Sequence, residues 1–176
     1  MECAANGGAL DIGKARLRNY PKRRRRWRSA GALQMAIEVI NRQRQGKIKA
    51  KQWREFAERA LKSIGAGDRD ATIVFVSDNA IKKLNREFRN QNYATDVLSF
   101  PARAEKFEME GEASLGEVVI SIGRAAAQSK ENGLTLANEI QQLILHGLLH
   151  LCGYDHETDD GEMNRLELKL RKKLDI

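Results

Sequence analysis

Three histidines near the C-terminus are the residues of this chain best suited to chemistry. His146, His150 and His156 are the only histidines in the sequence, and all three fall within residues 146–156. On a helix, residues four apart leave the same face about one turn from each other. Gly153 offers a helix C-cap or a sharp turn, after which His156 can return to the same point. The spacing predicts three nitrogen ligands on one tetrahedral metal ion, with the fourth position open to water.

The alternative is that these histidines are ordinary polar residues on a helix face. His146 and His150, however, lie inside the leucine- and isoleucine-rich stretch 143–151. Two imidazoles in such surroundings need polar partners, and a shared metal would satisfy both. Cys152 would lie on the opposite side of the helix, which favours a core position over a role as fourth ligand.

The three histidines and Gly153 match the spacing of the extended zinc motif of metzincin peptidases, H-E-x-x-H-x-x-G-x-x-H. One position departs from that motif, because Gly147 stands where the peptidases carry a glutamate that acts as general base. Glycine has no proton acceptor, and neither Asp155 nor Glu157 lies on the helix face where that base belongs. The sequence therefore disfavours peptide hydrolysis by this route.

Composition bounds the class of protein. The 176 residues are 41% hydrophobic and 31% charged, which is typical of a globular domain with a core. The sequence contains no apolar run of the roughly 18–20 residues that a membrane span requires, and no secretory signal pattern. Its two cysteines, Cys3 and Cys152, do not form a disulfide framework, so we expect a cytoplasmic protein with no membrane partner.

The positive charge is concentrated at the N-terminus. The net charge is +7, and residues 1–30 hold nine basic and two acidic residues, so the other 22 basic and 22 acidic residues balance. We predict a basic, disordered N-terminal extension over residues 1–32 and a single domain over 33–176. The run 22–28, which includes Trp27, could bind a phosphate backbone and stack on a base, or could be a solvated tail.

Hydrophobic periodicity indicates the elements that position the histidines. Four strands are predicted near 36–40, 72–76, 97–100 and 115–121, and residues 102–113 form a glutamate-rich loop. Helices are predicted over 50–64, from a cap at Ser77 to about 89, over 122–130, from a cap at Thr135 through His150, and over 160–174. Trp53 and Phe56 belong to the core. This order predicts an α+β fold with a small mixed β-sheet, helices packed around it, and the three-histidine site on a helix and the following turn.

The stretch His146-Gly-x-Leu-His150-Leu-x-Gly-Tyr-Asp-His156 resembles the signature of the YbeY family, bacterial endoribonucleases that mature ribosomal RNA. Residues 84–101, which include Phe88-Arg89 and Thr95-Asp96-Val97-Leu98-Ser99-Phe100-Pro101, look like a second conserved block of that family. Residues 115–121 look like a third, with Glu117 where aspartate is commoner. The resemblance covers about residues 36–176 and leaves the basic extension outside.

This resemblance implies one zinc ion held by the three histidines and single-stranded ribosomal RNA as substrate. It also implies a role in ribosome maturation and quality control, with the ribosome or ribosome-associated proteins as partners. It also implies that Arg89 is the cleft residue most needed for activity. A guanidinium near the scissile phosphate would bind it bidentately and offset charge in the transition state. Imidazole ligands accept nickel as well as zinc. Without the resemblance, the sequence indicates only that Arg89 is a solvated arginine at the end of a helix.

Two other functions stay open from sequence: a zincin-like hydrolase acting on a peptide or ester, and a non-catalytic, zinc-stabilised RNA-binding module. The second requires a closed metal site, with Cys152 or Asp155 as fourth ligand. Two acidic residues also have alternative roles. Asp96 could orient Arg89 or a histidine, or cap its own turn, and Glu139 could support the site or lie solvated on the helix face.

Overall fold

The computed structural model describes residues 37–102, 114–156 and 158–176. The elements alternate along the chain as β1 (Ile37–Asn41), α1 (Ala50–Ile64), β2 (Asp70–Val76), α2 (Asp78–Arg89), β3 (Val97–Pro101), β4 (Ser114–Ser121), α3 (Ile122–Glu131), α4 (Leu136–Leu151) and α5 (Glu162–Leu174). The predicted extension at 1–32 and nearly all of the predicted loop at 102–113 lie outside the described residues. Within those residues, no helix is long and apolar enough to cross a membrane.

The four strands form one mixed sheet in the order β1-β2-β4-β3. β1, β2 and β4 run parallel, and β3 pairs antiparallel with β4 at the edge. β2 is buried on both faces, with Ile73, Val74 and Phe75 at most 1% exposed, as its continuous apolar run predicts. The α+β fold with a small mixed sheet, predicted from sequence, is confirmed.

One face of the sheet carries the main core, formed with α1, α4 and α5. Trp53 and Phe56 on α1 are buried in it, as predicted. α4 packs on β3 and β4 and is covered by α1, α3 and α5, which explains why its apolar residues extend round most of the helix. Because α4 is fixed between a sheet and three helices, side chains on its open side are held in place.

The opposite face of the sheet is covered by α2. Val74 and Val119 point to this face, since neighbours in a strand alternate, and Ile81 and Leu84 of α2 are buried against the sheet. Ser77 occupies the predicted N-cap position of α2, but its side chain makes no capping hydrogen bond. The acidic residue in that first turn is Asp78, whose carboxylate can interact favourably with the helix dipole.

Candidate metal centre

α4 presents two of the histidines on its open side. The predicted cap is confirmed, because the Thr135 hydroxyl accepts a hydrogen bond from the backbone N–H of Asn138 at 3.1 Å. His146 and His150 lie one turn apart near the other end of the helix, and their Nε2 atoms are 3.1 Å from each other. Their ring centroids are 4.7 Å apart. Helical geometry alone therefore brings two imidazole nitrogens to one point.

The turn after α4 brings in the third histidine. Gly153 has a φ of 92°, and its N–H donates to the carbonyl of His150 at 3.0 Å. The N–H of Tyr154 donates to the carbonyl of Leu149 at 3.1 Å, which completes a Schellman motif. His156 then lies with its ring centroid 5.4 Å from that of His146 and 5.2 Å from that of His150.

The three side chains fit a single metal ion. One nitrogen from each histidine lies within 4.8 Å of the other two. Tetrahedral zinc with Zn–N bonds of about 2.0–2.1 Å requires nitrogens about 3.3 Å apart, close to the 3.1 Å between His146 and His150. Burial, followed by the charges of the neighbouring imidazoles, lowers the pKa of His150 and favours the neutral form that binds metals.

The site retains room for a further ligand. Within the described residues, neither Cys152 nor Asp155 joins the three-histidine group, so no protein atom is placed as a fourth ligand. A cleft of about 340 Å³ opens beside His146 and His156 and is also lined by Asn164 and Glu167 of α5. A metal in this position would be reached by solvent and by a bound molecule.

Glu167 is a functional residue that the sequence analysis missed. Its Oε2 lies 3.0 Å from Nδ1 of His146, and the side chain is buried. A carboxylate only accepts hydrogen bonds, so Nδ1 carries the proton and Nε2 keeps its lone pair for a metal. Burial alone would raise the pKa of Glu167, but hydrogen bonds from His146 and Arg171, and their charges, outweigh it and lower that pKa.

Arg171 holds this carboxylate in place. Its Nε donates to Oε1 of Glu167 at 3.1 Å, Nη2 donates to the same oxygen, and Nη1 donates to Oε1 of Gln142 on α4 at 2.7 Å. The network therefore joins α5 to α4 beside His146. One signal in the sequence could have found it: Glu167 follows Met163 by four residues and precedes Leu170 by three, which places an acidic residue on the apolar face of α5.

The Glu167→Gln variant is expected to bind the metal about 10–100-fold more weakly than the wild type, because a neutral amide polarises His146 less than a carboxylate does. Competition for the metal with a chromophoric chelator measures the change. Glu162→Gln, at an exposed position of α5, is the matched control and should leave affinity unchanged. Equal affinity in Glu167→Gln and wild type would remove Glu167 from the site.

Gly147 has a packing role that explains the missing glutamate. A Cβ atom at this position would lie 2.4 Å from Cγ1 of Val118 and 3.2 Å from Oγ of Ser99. The Ser99 hydroxyl also donates to the carbonyl oxygen of Gly147 at 3.3 Å. α4 thus approaches the sheet closely between its two histidines, and no side chain, least of all the peptidase glutamate, fits there.

Gly147→Ala is expected to lower the free energy of unfolding, because overpacking against Val118 costs about 1–3 kcal/mol. The gain in helix propensity from glycine to alanine, about 1 kcal/mol, offsets only part of this cost. Denaturant unfolding measures it, with Gly46→Ala as control because its Cβ would meet nothing within 4 Å. The loss caused by Gly147→Ala should be smaller in a Val118→Ala background than in the wild type, because the clashing Cγ atoms are then absent. The absence of any loss in the wild-type background would contradict the close contact.

The other sequence-predicted residues have distinct positions. Arg89 is the exposed last residue of α2, and its neighbour Phe88 packs on Phe100 of β3 with ring centroids 5.0 Å apart. Oδ1 of Asp96 accepts from the N–H of Val97 and the hydroxyl of Thr95, both at 2.9 Å, which is the turn-capping role. No contact of Arg89 with the histidines is seen in the described residues.

Glu139 neither supports the metal site nor faces solvent. It is 3% exposed, and its Oε2 accepts from Nδ2 of Asn132 at 3.4 Å. That bond joins the start of α4 to the end of α3, two turns away from His146. Of the two roles that the sequence left open for Glu139, the solvated one is excluded, because α3 covers this part of α4.

Comparison with known proteins decides the family. The model of the family described as endoribonuclease YbeY matches residues 38–175, which include the whole three-histidine site. The chain belongs to the YbeY endoribonuclease family. The resemblance noted from the histidine block is therefore confirmed, and it places the chain among enzymes that hydrolyse RNA.

Individual relatives agree with this assignment. An endoribonuclease YbeY from Solibacter usitatus is 46% identical over 121 residues, covering 69% of this chain and 76% of that protein. Another from Geobacter metallireducens is 36% identical over 139 residues, covering 78% and 93%. A solution structure of a Thermotoga maritima protein has a TM-score of 0.52 at 29% identity, covering 79% of this chain and 89% of that one.

Proposed function

We propose that residues 33–176 form a zinc-dependent endoribonuclease that cleaves single-stranded ribosomal RNA during ribosome maturation and quality control in the cytoplasm. The observation that carries this proposal is the three-histidine cluster with no fourth protein ligand among the described residues, in a chain of the YbeY family. Three histidine ligands with an open position are typical of catalytic rather than structural zinc sites. The ribosomal RNA would be bound either as free RNA or as part of an immature ribosomal particle.

His146, His150 and His156 would hold the ion, and Glu167 would keep His146 in the tautomer that binds it. A zinc ion in this site would lower the pKa of a bound water towards ~7 or polarise a phosphoryl oxygen. The cleft beside His146 and His156 gives the RNA backbone access to this point. Nickel in place of zinc would use the same three nitrogens.

Arg89 would bind the scissile phosphate. Its guanidinium offers two parallel N–H donors to phosphate oxygens and stabilises negative charge that develops there. Its position supports this role. Phe88 packs the end of α2 on β3, and Ser99 of β3 contacts α4 at Gly147, the residue between His146 and His150. Arg89 is thus the last residue of a helix that is anchored to β3, and β3 in turn contacts the metal-binding helix α4.

Two competing functions have less support. Peptidase activity by the metzincin route would need a general base at position 147, where Val118 leaves no room for a side chain. A purely structural zinc site would need a fourth ligand, and Cys152 and Asp155 lie outside the three-histidine group.

The test is cleavage by the purified full-length protein of a ribosomal RNA fragment, compared with the same fragment annealed to its complement and with an unfolded protein substrate. We expect cuts within the single-stranded fragment, little cleavage of the duplex and none of the protein. Cleavage of the protein substrate but not of the RNA would favour the zincin-like hydrolase. Binding of the RNA without cleavage would favour the non-catalytic module.

A further inference from the structure

A stripe of basic side chains runs along the outer side of α2. Lys82, Lys83 and Arg86 are exposed and lie opposite Ile81 and Leu84, which are buried against the sheet. Among the described residues, no carboxylate forms an ion pair with any of these three cations. Since basic and acidic residues balance over 31–176, these cations form a local positive surface on a neutral domain.

The stripe is one wall of a groove. Asn79 on α2 and Asn92 in the following segment line it together with the three cations, around a volume of about 270 Å³. The buried side chain of Asn85 holds that segment in place, because its Nδ2 donates to the carbonyl of Tyr93 at 3.0 Å. The backbone carbonyl of Asn85 also accepts from the N–H of Gln91 at 3.2 Å. The groove is thus formed before any ligand binds.

An exposed aromatic residue directly follows one of the residues that line this groove. Tyr93 follows Asn92 and is 57% exposed, more than any other large hydrophobic side chain in the described residues. Its backbone is anchored by Asn85, so the ring is presented from a fixed point. Proteins that bind single-stranded nucleic acids combine a cationic groove for the backbone with aromatic rings on which bases stack. Both components are present here within one short stretch of chain.

We propose that this α2 groove binds the RNA strand beside the scissile phosphate, with Lys82, Lys83 and Arg86 contacting phosphates and Tyr93 stacking on a base. Lys82 and Lys83 lie on one turn of α2 and Arg86 lies on the next, about 5.4 Å further along the helix, so the two turns can contact neighbouring phosphates. The same helix ends at Arg89 and packs on β3, the strand that also contacts α4. The inference rests on the proposed function, since it assumes that the ligand is single-stranded RNA.

RNA binding tests the groove independently of cleavage. Full-length protein carrying His150→Ala serves as the parent, so that the RNA stays intact, and a fluorescent oligouridine is the probe. Its affinity is measured by anisotropy over a range of salt concentrations. Lys82→Ala, Lys83→Ala and Arg86→Ala are combined in one variant. The matched control combines Lys47→Ala, Lys49→Ala and Lys51→Ala, which removes the same charge from exposed positions in and before α1.

The groove variant is expected to bind at least about tenfold more weakly than the parent, and its slope of log K against log salt should fall by up to about 2. The control should change neither quantity. The basic N-terminal extension is present in both variants, so its contribution cancels. An equal loss of RNA affinity in the two variants would overturn the proposal, because it would show that any exposed positive charge contributes equally to binding. Unchanged RNA affinity in the groove variant would also overturn the proposal. It would favour an acidic protein partner for these cations instead.

Tyr93 supplies a second, charge-independent test in the same assay. Tyr93→Ala is expected to lower affinity by on the order of tenfold with an unchanged salt slope, and Tyr93→Phe should restore it, because stacking needs only the ring. Equal affinity in all three would remove Tyr93 from the RNA path. Failure of the wild type to cleave RNA would contradict the proposed function, whereas these binding results would still stand.

Discussion

Replacing His150 by alanine is expected to empty the metal centre and abolish RNA cleavage. His150 supplies one of three nitrogens, and its Nε2 lies 3.1 Å from that of His146. Removing a direct ligand should lower metal affinity by more than the roughly 10–100-fold expected for a supporting residue such as Glu167. Elemental analysis after dialysis, with cleavage assayed on the same sample, measures both effects.

Gln141→Ala is the matched control for this change, because Gln141 lies on α4 but outside the three-histidine group. It should keep both its metal and its activity. The His150→Ala protein should stay folded without metal, since His150 is only half-buried and the leucine and isoleucine side chains that pack α4 into the core are unchanged. Full metal content in His150→Ala would contradict the assignment of the ligands.

Replacing Arg89 by alanine is expected to lower the rate of RNA cleavage by about 10²–10³-fold, the usual cost of losing one donor to transition-state charge. Metal content should be unchanged, because Arg89 makes no contact with the histidines in the described part of the chain. The cleavage rate of Arg89→Lys should lie between those of Arg89→Ala and the wild type, since lysine keeps the charge but not the bidentate geometry. Single-turnover cleavage of a single-stranded fragment separates this effect from RNA binding.

Arg124→Ala, at an exposed position of α3, removes the same charge away from the proposed cleft and should cleave at the wild-type rate. Together, His150→Ala and Arg89→Ala distinguish the two parts of the site. The first should lose metal and activity, the second activity alone. Wild-type cleavage by Arg89→Ala would return this residue to the role of a solvated helix-end arginine.

Local patterns predicted much of the fold. The limits of α1, from residue 50 to 64, follow from its apolar spacing and from Gly65, which adopts a φ of 97°. The same logic predicted that His146, His150 and Gly153 would bring His156 to a common point. Each of these features depends on helix geometry and on a single glycine, Gly65 or Gly153, and both are encoded within a few neighbouring residues.

Features that depend on packing between distant elements could not be predicted in this way. Glu167 contacts His146 across 21 positions of sequence, and the contact exists only because α5 packs on α4. The burial of Glu139 likewise depends on α3. The edge position of β3 beyond β4 also follows from tertiary pairing, since the pattern of a short strand does not specify its neighbours.

Gly147 shows at one residue both what the sequence can predict and what it cannot. The sequence showed that the general base of metzincin peptidases is missing, and it therefore disfavoured peptide hydrolysis. The physical reason, an approach of α4 to Val118 that leaves no space for a Cβ, required the positions of two elements that are far apart in sequence. A departure from a motif can thus indicate a change of function and a packing constraint at once.

A zinc titration of the metal-stripped, full-length protein tests the central claim most directly, with cleavage of single-stranded ribosomal RNA as the readout. We predict no cleavage without metal, a rise in proportion to added zinc, and a plateau at one ion per chain. The His150→Ala protein should show no rise. Cleavage by the stripped protein at the rate of the zinc-loaded one, or equal cleavage by His150→Ala, would contradict catalysis at the three-histidine centre.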